Sequence, residues 1–365
     1  MKRLDYLDLA KGIGILLVVL GHASLKNEYI TAYIYSFHMP LFFVIAGMLI
    51  CATQSYTRRF REVFLGKLRT LMLPYLIFSI IYTMIDLLRH DTYTKTNAVF
   101  SACFQGSGPL WFLPTLFITE LIFILLIKYC KKAVGITVAF LLGLTGFFIS
   151  SRFLFVDLDK IMWGQDVNLV STGLKLVALR SLSCLVFLCV GFVLMAILPR
   201  LKSEVFSASF GTALLILNII PIIIQFQKGT SPRLANMTYM ELQPGPVTFV
   251  LCSISGSVGL ILLCKAVDKL LYRRFTSLIG RPLRFWGRNS LLIMVTHLNC
   301  QILFLGNLFA TFMNQFITHA KDYIFLFNVI LICMLAETLL IMLVNRFCPW
   351  IIGKKGTAKN KDGIS

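Results

Sequence analysis

The stretch KGIGILLVVLGH, residues 11–22, is apolar enough to cross a membrane, yet a lysine begins it and a histidine ends it. In a helix, eleven steps of about 100° return to within about 20° of the starting direction, so Lys11 and His22 share one face. Asp8 lies on the same stripe, and the lysine and histidine are about 16 Å apart along the axis. An ionisable residue inside a bilayer costs about 2.5–3.5 kcal/mol on insertion scales, so both residues are candidates for function. The alternative is a lysine that snorkels to the interface and a histidine that packs between helices.

The whole chain of 365 residues has the composition of a membrane protein. It is 58% hydrophobic and 14% charged, with a mean hydropathy of +0.82, whereas soluble domains are about 25% charged. Apolar runs of about 20 residues predict transmembrane helices. They lie at 6–25, 32–52, 70–88, 110–128, 134–151, 178–198, 206–226, 247–264, 289–312 and 323–345. The predicted fold class is therefore all-α, a polytopic membrane helix bundle of about ten transmembrane helices.

The distribution of lysine and arginine predicts the orientation of these helices. Most of the 35 basic residues fall in alternate connections, which we assign to the cytoplasm together with both termini. We expect a multi-pass protein of the inner or plasma membrane, with residues 1–348 as the membrane domain. Residues 349–365 are predicted to be a short, basic, disordered cytoplasmic tail. The net charge of +19 suits anionic membrane lipid rather than nucleic acid, because the basic residues are spread over several loops.

The N-terminal 24 residues also resemble a secretory signal peptide, with a basic start and small residues after the apolar run. Asp5, Asp8 and Lys11 interrupt the region before that run, which favours a retained first helix. No cysteine and histidine spacing typical of a zinc site is found in the sequence, so we expect no metal.

Several polar side chains are predicted to lie among the apolar helices. His38 stands near Pro40, which suits the first turn of the second helix and would bring His38 close to His22 in depth. Two glutamates are best interpreted as neutralising arginine or histidine partners, and an outer tryptophan fits an interfacial belt. The further candidates are Arg69, Trp111, Glu120, His297 and Glu337.

The densest short basic cluster on the predicted cytoplasmic face comprises Arg58, Arg59, Arg61, Lys67 and Arg69. Such a cluster offers counter-charge to a phosphorylated ligand, although ordinary positive-inside bias explains it equally well. Pro74 follows and must loosen the helical hydrogen bonds just inside the membrane.

Two predicted outer loops, 152–177 and 227–246, carry aromatic and acidic groups that suit a hydroxyl-rich ligand. The alternative is that both are ordinary solvated loops. The residues concerned are Asp157, Asp159, Trp163, Asp166, Tyr239 and Glu241.

Five motifs, in this order along the chain, resemble the acyltransferase 3 family of integral membrane acyltransferases. They are the basic residue and histidine at Lys11 and His22, FHMPLFF at 37–43, KLRTLMLPY at 67–75, GPLWFLPTLF at 108–117 and GRNSLLIMVTH at 287–297. The chain looks most similar to the stand-alone branch that includes sugar O-acetyltransferases. It differs from the family in having lysine at position 11, where arginine is more frequent, and Ala46 in place of a frequent serine.

The resemblance implies an O-acyltransferase that takes an acyl group, acetyl by family default, from cytoplasmic acyl-CoA. The acceptor would be a hydroxyl of a cell-surface glycan or lipid-linked saccharide at the outer face. The family's motifs carry over onto Lys11 with His22 and onto Arg69 with Pro74.

Acyl transfer requires a base for the acceptor hydroxyl and charge stabilisation at the carbonyl. We expect His22 to be the base, with His297 and Glu120 assisting, and His38 and Trp111 near the acceptor. Acyl-CoA would contact Lys11, Arg61, Arg69 and Pro74. A multi-pass transporter or exporter of a polar or glycan substrate is the rival function, because buried charges among many helices suit it equally well.

Overall fold

The structure, a computed structural model, describes residues 4–23, 28–88, 108–162, 169–228, 235–242, 245–270, 279–298, 302–316 and 322–354. Within those ranges the chain forms α-helices joined by short 3-10 and π turns, with one isolated β-bridge between Asn236 and Glu241. The prediction of an all-α fold is confirmed. The helices are α1 (Asp5–His22), α2 (Glu28–Thr53), α3 (Phe60–Lys67), α4 (Leu73–Leu88), α5 (Phe112–Tyr129), α6 (Lys132–Met162), α7 (Leu169–Ser183), α8 (Leu185–Ile197), α9 (Glu204–Leu217), α10 (Ile220–Gln227), α11 (Pro246–Leu270), α12 (Gly280–Arg288), α13 (Ser290–Thr296), α14 (Ile302–Phe316) and α15 (Asp322–Phe347).

Eight helical segments among the described residues are long and apolar enough to cross a membrane. They correspond to eight of the predicted spans, so the polytopic bundle is confirmed. The other two predicted spans differ: α1 carries Asp5, Asp8 and Lys11 in its first two turns, and the predicted helix 289–312 is interrupted. The eight segments are Glu28–Thr53, Phe60–Ile85, Gly108–Tyr129, Lys132–Arg152, Gly173–Arg200, Glu204–Gln227, Pro246–Asp268 and Ile324–Phe347.

The prediction of one continuous helix over 289–312 is wrong. Helix α13 ends at Thr296, and α14 begins at Ile302. The carbonyl of His297 accepts a hydrogen bond from the backbone N–H of Leu303 at 3.0 Å. Apolar content alone could not indicate this break, because the polar run HLNCQ is short and has apolar residues on both sides. His297 therefore lies at a helix end.

The placement of Pro40 in a first helical turn is also wrong, because α2 begins at Glu28 and contains Pro40 in its interior. An interior proline lacks the N–H that would bond to the carbonyl of Ser36, four residues earlier. The hydroxyl of Ser253 on α11 donates to that carbonyl at 2.7 Å. A neighbouring helix thus supplies the hydrogen bond that the proline removes, as membrane-spanning helices require.

The third span begins at Phe60 rather than at residue 70. Helix α3, a π turn over Leu68–Met72 and α4 follow one another without a gap. Lys67 and Arg69 therefore lie on a helical segment and not in a loop. The π turn comes just before Pro74, where the backbone hydrogen bonding must already depart from the α-helical pattern.

Two segments predicted to be irregular contain regular structure where they are described. The predicted outer loop 152–177 is mostly helical, because α6 extends to Met162 and α7 begins at Leu169. The predicted disordered tail begins with a 3-10 turn, Pro349–Ile352, in which the proline occupies a favourable early position. The prediction of a loop over 152–177 is therefore wrong, because polar composition does not exclude helix, whereas disorder of the rest of the tail stays a prediction.

Helices α1 and α12 cross in direct backbone contact. A Cβ atom on Gly12 would lie 1.9 Å from the carbonyl oxygen of Leu283, and one on Gly287 would lie 1.8 Å from that of Asp8. Only glycine permits such an approach, which is typical of helix packing in membranes. This crossing fixes the end of α1 that carries Lys11 against α12.

Candidate active site

Two histidines from different helices meet at the predicted outer end of α1. The rings of His22, at the end of α1, and His297, just after α13, have their centroids 5.3 Å apart. His22 is half-buried, whereas His297 is fully buried. The sequence predicted each residue as a candidate by its depth, and the structure brings the two together.

Helix α2 adds two more ring side chains to this centre. The hydroxyl of Tyr35 lies 3.3 Å from Nδ1 of His22, and the rings of Tyr35 and His38 have their centroids 4.9 Å apart. His22 and His38 therefore both contact Tyr35. We refer to His22, Tyr35, His38 and His297 as the histidine cluster.

The backbone determines which ring nitrogen of two of these histidines carries a proton. Nδ1 of His38 lies 2.8 Å from the carbonyl oxygen of Ile34, and Nδ1 of His297 lies 2.8 Å from that of Ile293. Because a carbonyl can only accept, Nδ1 is the donor in both rings, which leaves Nε2 with a lone pair in the neutral form. Nε2 of His297 is buried and has no hydrogen-bond partner among the described residues.

A cavity of about 200 Å³ opens beside the histidine cluster. Three of the four cluster residues line it together with Trp111 and an outer turn at residues 235–242. The predicted acceptor contacts His38 and Trp111 therefore share one cavity with His22. The lining residues are Val18, His22, Tyr35, His38, Met39, Gly108, Pro109, Trp111, Ala235, Asn236, Met237, Thr238, Tyr239 and Leu298.

The outer turn is closed by paired backbone bonds between Asn236 and Glu241, at 2.8 and 3.0 Å. Tyr239, predicted as an acceptor contact, lines the cavity, whereas Glu241 belongs to the paired base of the turn. Trp163 and Asp166 lie outside the described residues, and Asp157 and Asp159 fall on a helical stretch whose side chains are likewise not described.

Arg180 on α7 is a functional candidate that sequence reasoning missed. Its guanidinium is fully buried and lies over the ring of Trp111 at 4.9 Å. Nε donates to the hydroxyl of Thr115 at 2.8 Å, and Nη1 donates to the carbonyl of Thr238 at 3.0 Å. Arg180 therefore lies behind the cavity and ties α7 to Trp111 and Thr238, two residues that line it. The detectable signal is an arginine within the predicted apolar span 178–198.

Lys11, at the opposite end of α1, lies in a network of ion pairs. Its Nζ is 2.9 Å from Oδ1 of Asp8, whose Oδ2 lies 3.2 Å from Nε of Arg288. Asp5 contacts the same guanidinium at 3.5 Å. The network pairs the cations of Lys11 and Arg288 with the carboxylates of Asp5 and Asp8. It connects α1 to α12 beside the close contacts of Gly12 and Gly287.

The two buried glutamates have different partners from those predicted. Glu120 forms an ion pair with Lys67 at 2.8 Å, so its partner is a lysine and not an arginine or histidine. Both carboxylate oxygens of Glu337 lie 2.9 Å from the hydroxyl of Thr296. Glu120 does not line the histidine cavity, whereas Glu337 contacts the residue that directly precedes His297.

The predicted cytoplasmic end holds a second cavity of about 400 Å³, which we call the basic groove. Arg58 and Lys67 line it, whereas the predicted donor contacts Arg61, Arg69 and Pro74 do not. Arg61 is exposed, and Pro74 is buried in α4. Nη2 of Arg69 donates to the carbonyl of Lys354 at 3.2 Å. The groove is lined by Leu49, Ile50, Thr53, Ser55, Arg58, Glu62, Val63, Gly66, Lys67 and Thr70.

Comparison with known proteins identifies the family. The model of the acyltransferase 3 family, described as an acyltransferase domain, matches residues 4–347 and so includes both cavities. No curated protein matches the chain, and no solved structure matches it. The family match extends over nearly all of the 365 residues, on a bundle with eight candidate membrane spans among its described residues. The chain therefore belongs to the acyltransferase 3 family of integral membrane acyltransferases.

Proposed function

We propose that this acyltransferase moves an acyl group, acetyl in the first instance, from cytoplasmic acyl-CoA to a hydroxyl of a cell-surface glycan or lipid-linked saccharide. The observation that carries the proposal is the position of His22. Its ring lines the outer cavity, contacts Tyr35 and stands beside His297. A base that opens onto a cavity is what O-acyl transfer requires of its acceptor side.

In the proposed reaction His22 takes the proton of the acceptor hydroxyl as the hydroxyl oxygen attacks the thioester carbonyl. The new C–O bond forms, the C–S bond breaks, and the CoA thiolate leaves with the proton returned by the His22 imidazolium. In this proposal Nδ1–H of His22 donates to the hydroxyl oxygen of Tyr35, so Nε2 carries the lone pair and takes the proton. Trp111 and Tyr239 offer aromatic faces to the acceptor in the same cavity.

The donor is proposed to bind at the opposite end. Arg58 lines the basic groove, and Arg61 and Arg69 stand on the helical segment Phe60–Ile85. Lys67 also lines the groove, but Glu120 pairs with its ammonium, so we assign the phosphates to the arginines. Guanidinium and ammonium groups are the usual partners of the phosphates that acyl-CoA carries. We place Lys11 differently from the first expectation. Because Asp8 already pairs with its ammonium, Lys11 supports the proposal by fixing α1, the helix that carries His22.

Reconstitution distinguishes this proposal from transport. The purified chain in vesicles receives acetyl-CoA on one side and a membrane extract of saccharide acceptors on the other. We expect thioester loss, release of free CoA and a mass increase of one acyl group in the acceptor. Acceptor movement across the vesicle membrane without CoA release would contradict the proposal and indicate a transporter. Mass analysis of surface glycans and lipids from cells with and without the protein would identify the acceptor.

A further inference from the structure

The C-terminal end of the described chain folds back as a closed turn. The backbone N–H of Gly353 donates to the carbonyl of Trp350 at 2.9 Å, and that of Lys354 donates to Pro349 at 3.1 Å. Gly353 has φ +69°, in the left-handed region that favours glycine. We refer to Pro349–Lys354 as the C-terminal turn.

This turn packs directly on the π turn that carries Arg69. A Cβ atom on Gly353 would lie 2.3 Å from the carbonyl oxygen of Arg69 and 2.9 Å from Cα of Thr70. The guanidinium of Arg69 also donates to the carbonyl of Lys354 at 3.2 Å. The C-terminal turn therefore contacts both the backbone and the side chain of Arg69.

The side chain of Lys354 extends the same contact to the opposite helices. Its Nζ donates to Oδ1 of Asn345 at 2.6 Å and to Oδ1 of Asn289 at 3.2 Å, and the two asparagines bond to each other at 3.3 Å. Asn289 stands at the junction of α12 and α13, and α13 leads to His297. Lys354 thus links the π turn with the helix that positions His297.

The bond from Arg69 to Lys354 does not remove the capacity of Arg69 to bind an anion. A guanidinium has five N–H donors and a fixed positive charge, and an uncharged carbonyl engages one donor without neutralising it. The π turn that carries Arg69 departs from the α-helical pattern, and Pro74 removes a helical hydrogen bond just beyond it. The contacts of Gly353 and Lys354 hold this segment from outside the helix.

We propose that the C-terminal turn is a positioning element for Arg69. By holding the π turn and the guanidinium from the cytoplasmic side, Gly353 and Lys354 orient Arg69 for the phosphates of the acyl-CoA donor. This inference rests on the donor role given to Arg69 in the proposed function.

Binding of coenzyme A to the full chain in lipid nanodiscs, measured by calorimetry, tests the inference. Gly353→Ala forces a Cβ into the Arg69 carbonyl. We expect it to raise the dissociation constant for coenzyme A about tenfold, and we expect the same rise from Arg69→Ala. The double variant should bind no more weakly than Arg69→Ala alone, since both changes act through one side chain. Gly245→Ala is the matched control, because nothing lies within 4 Å of its added Cβ, and it should bind as the unaltered chain does.

Lys354→Ala provides a second route if Gly353→Ala does not fold, because this side chain is exposed. We expect a rise of about threefold, again absent when Arg69 is already alanine. If the unaltered chain does not bind coenzyme A, or Arg69→Ala binds as tightly as the unaltered chain, the proposed donor site itself is wrong. If Arg69→Ala weakens binding but the turn variants do not, or if their effects multiply with it, the positioning role is overturned and the donor site stands.

Discussion

At the scale of single residues, the candidate centre is organised by hydrogen bonds that occupy one atom of each ring. His38 and His297 both direct Nδ1 to a carbonyl four residues earlier, and Tyr35 approaches Nδ1 of His22. Each of these contacts fixes a ring orientation and leaves Nε2 for other partners. The arrangement resembles catalytic bases in general, in which a neighbouring group orients the base.

Tyr35→Phe removes the hydroxyl that lies 3.3 Å from Nδ1 of His22 while keeping the aromatic ring. A hydrogen bond of this kind contributes about 1 kcal/mol, so we expect kcat to fall by about fivefold to tenfold. The KM for acetyl-CoA should stay unchanged, since the donor is placed at the opposite end of the bundle. Steady-state kinetics with acetyl-CoA as the varied substrate measures both. An unchanged kcat would show that Tyr35 does not orient His22.

Arg180→Lys retains the charge but loses the planar fork that reaches both Thr115 and Thr238. Losing one hydrogen bond from a buried charged group costs about 2 kcal/mol, so we expect a lower melting temperature in detergent. We also expect a higher KM for the acceptor, because the outer turn that lines the cavity is no longer held to α5 and α7. A variant with unchanged melting temperature and acceptor KM would contradict this role.

At the scale of helices, close packing of α1 on α12 sets the position of the whole centre. The Gly12 and Gly287 contacts leave no room for a side chain, and the ion pairs of Lys11, Asp8 and Arg288 lie beside them. Because His22 ends α1 and α13 follows α12 directly, a shift at this crossing would change the distance between His22 and His297.

Gly12→Ala should therefore be strongly destabilising. The added Cβ would lie 1.9 Å from the carbonyl oxygen of Leu283. Because that oxygen belongs to the backbone of α12, it cannot move aside as the end of a flexible side chain can. Overpacking costs about 1–3 kcal/mol or more, which we expect to see as a lower melting temperature in detergent. The control is Gly66→Ala, whose added Cβ has no atom within 4 Å. This change should stabilise its helix slightly, because glycine is less favourable than alanine inside a helix. Equal melting temperatures for the two variants would contradict the close crossing.

The helices also show what could be read from the sequence and what could not. The length of the apolar runs predicted the spans, because each helix that crosses the bilayer must satisfy its own backbone hydrogen bonds. The break at His297 and the interior position of Pro40 depend on partners from distant segments, such as the Ser253 hydroxyl on the Ser36 carbonyl. Periodicity carries no information about such partners.

For the candidate site, too, the sequence predicted some features and not others. Helical geometry predicted that Lys11 and His22 share a face, and depth predicted that His38 lies near His22. Depth did not indicate which helices are neighbours. The contact of His22 with His297, and the contacts of Arg180 with the cavity residues Trp111 and Thr238, therefore could not be derived.

At the scale of the whole molecule, the proposed donor site and the proposed acceptor site lie toward opposite ends of the helix bundle. The basic groove and the C-terminal turn lie at the end predicted to be cytoplasmic, and the histidine cavity lies toward the other. Acyl transfer across this separation requires both termini in the cytoplasm.

Fusions to the C-terminus test that orientation. A reporter that fluoresces only in the cytoplasm should be active, and a phosphatase that folds only outside should be inactive, because basic residues concentrate on the predicted inner side. The reverse pattern would place the basic groove outside and remove the route to cytoplasmic acyl-CoA.

The most direct measurement of the central claim is acetyl-CoA-dependent acylation of the acceptor by the His22→Ala variant, purified to the same yield and melting behaviour as the unaltered chain. Losing a general base costs about 100-fold or more in rate, so we predict a loss of that size. Tyr129→Ala, which removes an exposed ring that lines neither cavity, should keep full activity. Full acylation by well-folded His22→Ala would contradict the account, because no other group has been given the role of base.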